Sequence, residues 1–231
     1  MPRTFLLLTL LTAFALPLWA TDGAERNVNP GINSNYADPD PKRWQGILER
    51  DGREVWDRRQ DVLSALNIRP GMSVADIGAG TGFYTRMFAQ ATGPTGQVYA
   101  VDIAENFIDH IRKTAEVAGL TNITGVINDQ QSVRLPPDSV DLAFISDTYH
   151  HFEYPVTTMR SLHEALKADG TVVVIDFKRI PGVTHPWVFG HVRAGKDTFR
   201  DEIETAGFEL VEELDFMKTQ YFLRFRKREG S

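Results

Sequence analysis

Three glycines at alternate positions, Gly78-Ala79-Gly80-Thr81-Gly82, constrain this chain more than any other stretch. Before them, Val74-Ala75-Asp76-Ile77 is led in by the turn pair Pro70-Gly71. This short apolar run predicts a buried strand. After them comes an amphipathic stretch with Tyr84, Met87, Phe88 and Ala91 on one face, stopping at Gly93. Strand, glycine turn and helix open an α/β nucleotide site. Glycine lets the backbone pass close under a ligand with no Cβ in the way, and a helix start points free N–H groups into the same crevice.

The spacing narrows the ligand. A dinucleotide turn ends on a sixth-position glycine or alanine, so that the helix packs close to a pyrophosphate. Here the sixth position, counted from Gly78, is Phe83. The tighter pattern suits a ligand without phosphate. Residues 97–101 predict a second strand ending on Asp102, about 20 residues after the glycines, the spacing at which a carboxylate grips ribose hydroxyls. The plainer reading of Asp102 is an N-cap for a helix over 104–118.

At these residues the chain resembles the class I S-adenosylmethionine-dependent methyltransferases. Asp76-Ile77-Gly78-Ala79-Gly80-Thr81-Gly82 is similar to the family's first motif, and the run from Leu135 to Phe152 (LPPDSVDLAFISDTYHHF) resembles its fourth. The likeness covers about residues 69–227 and is closest to the small-molecule branch that includes quinone-biosynthesis enzymes. It implies a Rossmann-like, doubly wound α/β sheet of seven mostly parallel strands with the last antiparallel. It also implies S-adenosylmethionine as cofactor and a small-molecule methyl acceptor. Donor contacts are implied for Asp76, Gly78, Ala79, Gly80, Gly82, Asp102 and Ile103. Asp129 and Gln130, after a third strand over 122–127, are implied to meet the adenine. Asn128 replaces the family's usual glycine there, and an Asx-type turn would also explain Asp129.

A fourth strand over 141–146 ends on Ser146, whose carbonyl is placed to face the reacting group. Tyr149 is expected along the donor. His150 or His151 is expected to take a proton near neutral pH. The alternative is that the histidines cap the loop, since adjacent side chains on an extended segment point oppositely. Nothing in the spacing of His150, His151, His185 and His191 supports a metal site. His185, Trp187, His191 and Arg193 fall on a long loop over 180–195, as candidates for acceptor recognition or as plain exposed residues.

The remaining elements are a helix opened by Pro155, a fifth strand over 171–177 and a helix from a capping box at Thr198-Phe199-Arg200-Asp201. A hairpin over 208–215 and 219–227 ends the chain. Residues 41–68 predict a helical lid, with Tyr36, Trp44, Arg53 and Trp56 as candidate cover, or simply helices packed on the core. Residues 21–40 predict a flexible arm. Residues 1–20 read as a secretory signal peptide, with an uncleaved membrane tether as the alternative.

The protein has 231 residues and no cysteine, which excludes disulfides, thiolate metal sites and Cys nucleophiles. A formal charge of −6 gives no electrostatic case for nucleic acid. Export sits awkwardly with a donor made in the cytosol. Two rivals to methyl transfer therefore follow: a nucleoside-binding module without chemistry, and a nicotinamide oxidoreductase, which Phe83 disfavours.

Overall fold

The computed structural model describes residues 24–228. The expected signal peptide lies outside the described residues. Among the described residues, no helix is long and apolar enough to cross a membrane.

In chain order, three helices come first: α1 (Pro41–Leu48), α2 (Glu54–Asp57) and α3 (Arg59–Leu66). Alternating units follow: β1 (Ser73–Ile77), α4 (Phe83–Thr92), β2 (Gln97–Asp102), α5 (Glu105–Val117) and β3 (Ile123–Ile127). Then come β4 (Val140–Ser146), α6 (Pro155–Ala165), β5 (Leu166–Phe177), α7 (Trp187–His191), α8 (Lys196–Thr205), β6 (Phe208–Leu214) and β7 (Gln220–Lys227). The seven strands form one sheet in the order β3-β2-β1-β4-β5-β7-β6. β7 runs antiparallel to β5 and β6, and the other pairings are parallel. The expected seven-stranded architecture is what the chain adopts, and the strand order reverses between β1 and β4.

The core follows from period-2 alternation on strands buried on both faces. Val172 and Val174 of β5 pack with Met159, Leu162, Phe199 and Ile203 on the α6 and α8 side. Val173 and Ile175 point the other way, into a cluster with Val62, Leu66, Tyr84 and Phe88. Phe144 there is fully buried between Tyr84 and Phe88, at ring separations of 4.8 and 5.2 Å. Burial of such a ring contributes roughly 1.5–3 kcal/mol.

Parallel register brings one end of each strand to the same edge. Ile77 pairs with Val101 and with Ile145, and Ser146 pairs with Ile175. Gly78, Asp102, Ser146 and Asp176 therefore emerge side by side.

Local expectations change at three places. β5 begins at Leu166, five residues before its expected start at 171. α8 starts at Lys196 with Gly195 as N-cap, so the capping box at Thr198 does not form. The arm is tied down: Glu25 accepts from the backbone N–H groups of Val156 and Thr157 at 2.9 and 2.7 Å. Tyr154, the local N-cap of α6, offers no side-chain bond. The orphan donors of α6 are thus satisfied from far away in sequence.

Candidate functional site

A cavity of about 890 Å³ opens along the carboxyl edge of the sheet. Gly78 and Gly80 form its floor; Gly82, an expected donor contact, does not line it and faces Ile111 instead. The three take φ of 73°, 53° and 74°. A Cβ on Gly78 would lie 2.2 Å from Thr148 Cγ2, and one on Gly82 would lie 2.5 Å from Ile111 Cγ1. The turn needs glycine both for its backbone angles and for close approach.

Asp102 closes this turn. Its Oδ2 accepts from Gly80 N at 2.8 Å and its Oδ1 from Ala104 N at 2.9 Å. Asp102 is not the N-cap of α5, which is Ala104; its carboxylate instead ties down the backbone just ahead of the helix. An ionised carboxylate has about four acceptor sites, so capacity remains for a ligand's hydroxyls. Burial raises its pKa to about 6, against the pull of the backbone N–H groups. Ile103 and Phe107 line the wall beside it.

Asp76 lies under the turn and accepts from Thr85 Oγ1 at 2.6 Å. Burial raises its pKa to about 7. An unfolded aspartate titrates near ~3.9. Between those values the folded state holds the extra proton, so stability falls as pH rises through the window and stays lower above it. Asp76→Asn is expected to melt like wild type near pH 4. It should melt several degrees higher at pH 8, a gain on the order of a few kcal/mol. Thermal melts across that range check it, and a constant offset would refute the assignment.

Asp129 sits at the rim, in the Asx-type turn considered for it. Its Oδ1 accepts from Gln131 N and Ser132 N, and Arg134 lies on Oδ2. Gln130 also lines the cavity, and its Oε1 accepts from Asn33 Nδ2 at 3.2 Å. Ser146 lines it too, with its carbonyl accepting from Thr148 Oγ1 at 2.9 Å.

Residues 24–53 roof the space. Tyr36 stacks on Trp44 at 4.8 Å and meets His151 edge-on at 5.2 Å. Burial, with Asp102 nearby, raises the Tyr36 pKa to about 12. Glu49, following α1, accepts from Thr81 Oγ1 at 2.8 Å and pairs with Arg86 at 3.0 Å. Arg53 pairs with Asp147 at 2.7 Å. Of the expected cover residues, Tyr36, Trp44 and Arg53 line the cavity. Trp56 does not; it packs on Phe83 at 4.5 Å and beneath Arg59.

At the far end the expectations are most altered. Residues Tyr149–His151 form a 3-10 turn, not an extended segment. Tyr149 therefore points away from the cavity into the core, fully buried against Phe152 and Phe199 at 5.1 and 5.0 Å. His150 and His151 both line the cavity, their rings 4.3 Å apart. His150 Nδ1 lies 2.9 and 3.0 Å from the two carboxylate oxygens of the fully buried Asp176. Burial, with His150 and His191 alongside, lowers the His151 pKa to about 2. α7, formed within the long loop, adds His191, 5.1 Å from each of the other two rings. Trp187 and His185 line this end as well. Arg193 does not; it forks onto Glu202 at 2.8 and 2.6 Å over the Phe199 ring.

Asp147, Asp176 and Glu49 carried no role in the sequence reading. Asp176 left a trace, since an acidic residue near the end of an otherwise apolar β5 echoes the one that ends β2. Nothing local marks Glu49.

Fold and site together define a doubly wound α/β domain whose glycine turn and buried carboxylate share one cavity with a cluster of aromatic rings and imidazoles. A family model described as a methyltransferase domain matches residues 68–221. The chain belongs to that family. It is 28% identical over 119 residues to a ubiquinone/menaquinone biosynthesis C-methyltransferase of Burkholderia cenocepacia, covering 52% of this chain and 49% of the relative. To a demethylmenaquinone methyltransferase of Geobacillus stearothermophilus it is 26% identical over 132 residues, covering 57% and 54%. The chain thus spans about half the length of the curated relatives it matches. A solved S-adenosylmethionine-dependent methyltransferase of Aquifex aeolicus superposes with a TM-score of 0.72 at 23% identity, covering 81% of this chain and 98% of that one.

Proposed function

We propose that this protein transfers a methyl group from S-adenosylmethionine to a small molecule, and that it does so after export. The observation that carries the reading is the partly satisfied, buried Asp102 carboxylate beside a phosphate-free glycine turn, opening into a cavity that continues to the histidines. These residues fit the group: Gly78 and Gly80 line the cavity with bare backbone, and Asp102 has acceptor capacity to spare.

When bound, the donor supplies a methyl group made electrophilic by its sulfonium. The chain's own residues do the rest. Asp102 would accept from the ribose hydroxyls, with Ile103 on the same wall. Asp129 and Gln130 would receive the base at the rim. Asp76, Gly78, Ala79 and Gly80 would hold the amino-acid end, with Gly82 shaping the turn behind them. The carbonyl of Ser146 would serve the reacting end. Tyr36, Trp44 and Arg53 exclude water, which an in-line displacement needs. His150, held by Asp176, is the wall group placed to take an acceptor's proton, with His151 packed beside it. Tyr149 has no part in this scheme.

The names of the relatives favour a quinone-like ring as acceptor, and Phe177 and Trp187 on the wall suit a flat apolar molecule. The leader-like residues 1–20 support export to the periplasm or beyond. An uncleaved leader would instead tether the protein to a membrane, and N-terminal sequencing of the exported form separates the two.

A second reading, a binding module without catalysis, is favoured by the same leader, because the donor is made in the cytosol. A thermal-shift panel tests the class of ligand. S-adenosylhomocysteine at 100 times its Kd should raise Tm by about 5–10 °C, and NAD should leave it unchanged. A dominant response to NAD would overturn the nucleoside assignment. Formation of S-adenosylhomocysteine from S-adenosylmethionine in the presence of small-molecule extract separates enzyme from module.

A further inference from the structure

We propose that His150, His151 and His191 form a site for one divalent transition-metal ion at the acceptor end of the cavity. One ligating nitrogen from each of the three lies within 4.8 Å of those of the other two. They reach this point from the end of β4 and from α7, so no local spacing announces them.

Two further observations point to a ligand. His151 Nδ1 is buried with no hydrogen-bond partner among the described residues. An orphaned imidazole nitrogen is costly unless something binds it. His150 has the second arrangement that ligating histidines show: its Nδ1 is held by the buried carboxylate of Asp176, which fixes the ring and leaves Nε2 for an ion. The bland account, three imidazoles packed against one another, explains the ring separations. It does not explain the orphaned nitrogen or the carboxylate behind His150.

Three imidazoles without thiolate suit zinc and its late transition-metal neighbours, not calcium or magnesium, which take oxygen ligands. A tetrahedral ion at about 2.1 Å from each nitrogen needs them about 3.4 Å apart. The cluster must therefore draw in somewhat. His191 is the member able to move, being half-buried on a five-residue helix within a loop. Three protein ligands leave the fourth position open toward the cavity, as in catalytic rather than structural sites.

Binding of the ion depends on these side chains alone; its role depends on the methyl-transfer reading. The open position would take an acceptor oxygen, a hydroxyl or an enol, and make its O–H more acidic. The proton then leaves to solvent instead of to His150. An oxygen lone pair forms the O–CH3 bond as the S–CH3 bond breaks, and that bond's electron pair stays on sulfur. Oxyanion and sulfonium become a neutral methyl ether and a neutral thioether.

The test uses the tag-free full chain stripped with a chelator. Zn2+ is titrated calorimetrically, and Co2+ serves as the spectroscopic probe. Wild type should take up one equivalent and give the intense visible bands of a four-coordinate cobalt site. His191→Ala and His151→Ala should each weaken uptake at least 100-fold, and Asp176→Asn by about 10–100-fold. Binding of S-adenosylhomocysteine to His191→Ala, measured without metal, should match wild type, which shows that the variant is folded. No saturable uptake by wild type overturns the site, as does equal uptake by His191→Ala, His151→Ala and wild type. One-equivalent, histidine-dependent uptake in a protein that ignores S-adenosylhomocysteine would uphold the site while removing the methyl-transfer reading.

Discussion

Asp102→Ala is expected to raise the Kd for S-adenosylhomocysteine at pH 8 by at least 100-fold. The carboxylate is 6% exposed and already accepts from Gly80 N and Ala104 N. The two acceptor sites left over are those proposed for the ribose hydroxyls. Hydrogen bonds to a charged group contribute roughly 1.5–3 kcal/mol each, and 1.4 kcal/mol is about tenfold in affinity. The variant also leaves two backbone donors unpaired, a cost partly offset by removing a buried carboxylate. Asp102→Asn, which keeps one acceptor, should lose affinity by about tenfold. In wild type the pKa of about 6 adds a pH signature. Only the ionised group accepts with both oxygens, so affinity should fall as pH drops below 6 and be flat above 7. Isothermal titration across pH 5 to 8 reads both effects. Binding by Asp102→Ala within threefold of wild type would end the nucleoside assignment.

Gly78→Ala is expected to be the most damaging single methyl in the turn, at about 2–5 kcal/mol. Two costs combine. Alanine at a φ of 73° is strained by about 1–2 kcal/mol. The new Cβ would also sit 2.2, 2.5 and 2.9 Å from Cγ2, Oγ1 and Cβ of Thr148, which overpacks a rigid contact by a further 1–3 kcal/mol or so. In a chain of this size Tm should fall by about 10 °C. Gly119→Ala is the internal control, because φ there is 66° but nothing lies within 4 Å of an added Cβ. It should show the strain alone. Pairing Gly78→Ala with Thr148→Gly should recover the steric part and leave the strain. Equal melting of Gly78→Ala and Gly119→Ala would show that the approach of Thr148 does not hold the turn.

These two residues were readable in advance because their signals are local. A strand that breaks into alternate glycines, and an acid one βα unit later, describe one continuous piece of backbone. The roof was half readable. Trp44 and Tyr36 sat in the right segment. Whether a given tryptophan covers a cavity or packs on Phe83, as Trp56 does, depends on where the helix docks. At the histidine end the resemblance placed Tyr149 along the donor, and the 3-10 turn puts it in the core instead. In a 3-10 turn successive side chains project about 120° apart, so Tyr149 goes to the core and both histidines face inward. The arm was misread for a related reason: polar, Pro- and Asn-rich sequence signals no helix or strand, yet Glu25 serves as the missing cap of α6.

By itself, then, the sequence determined the order of strands and helices, the glycine floor and the carboxylate that closes it. Backbone angles, hydrophobic period and short spacings act within a few tens of residues. Only the tertiary structure decided what chemistry the other compartment can do. Asp176 stands behind His150 because β5 pairs beside β4, and His191 meets His150 and His151 because α7 folds back over that edge. Contacts of that kind are made by sheet register and helix docking, which no stretch of this chain encodes alone.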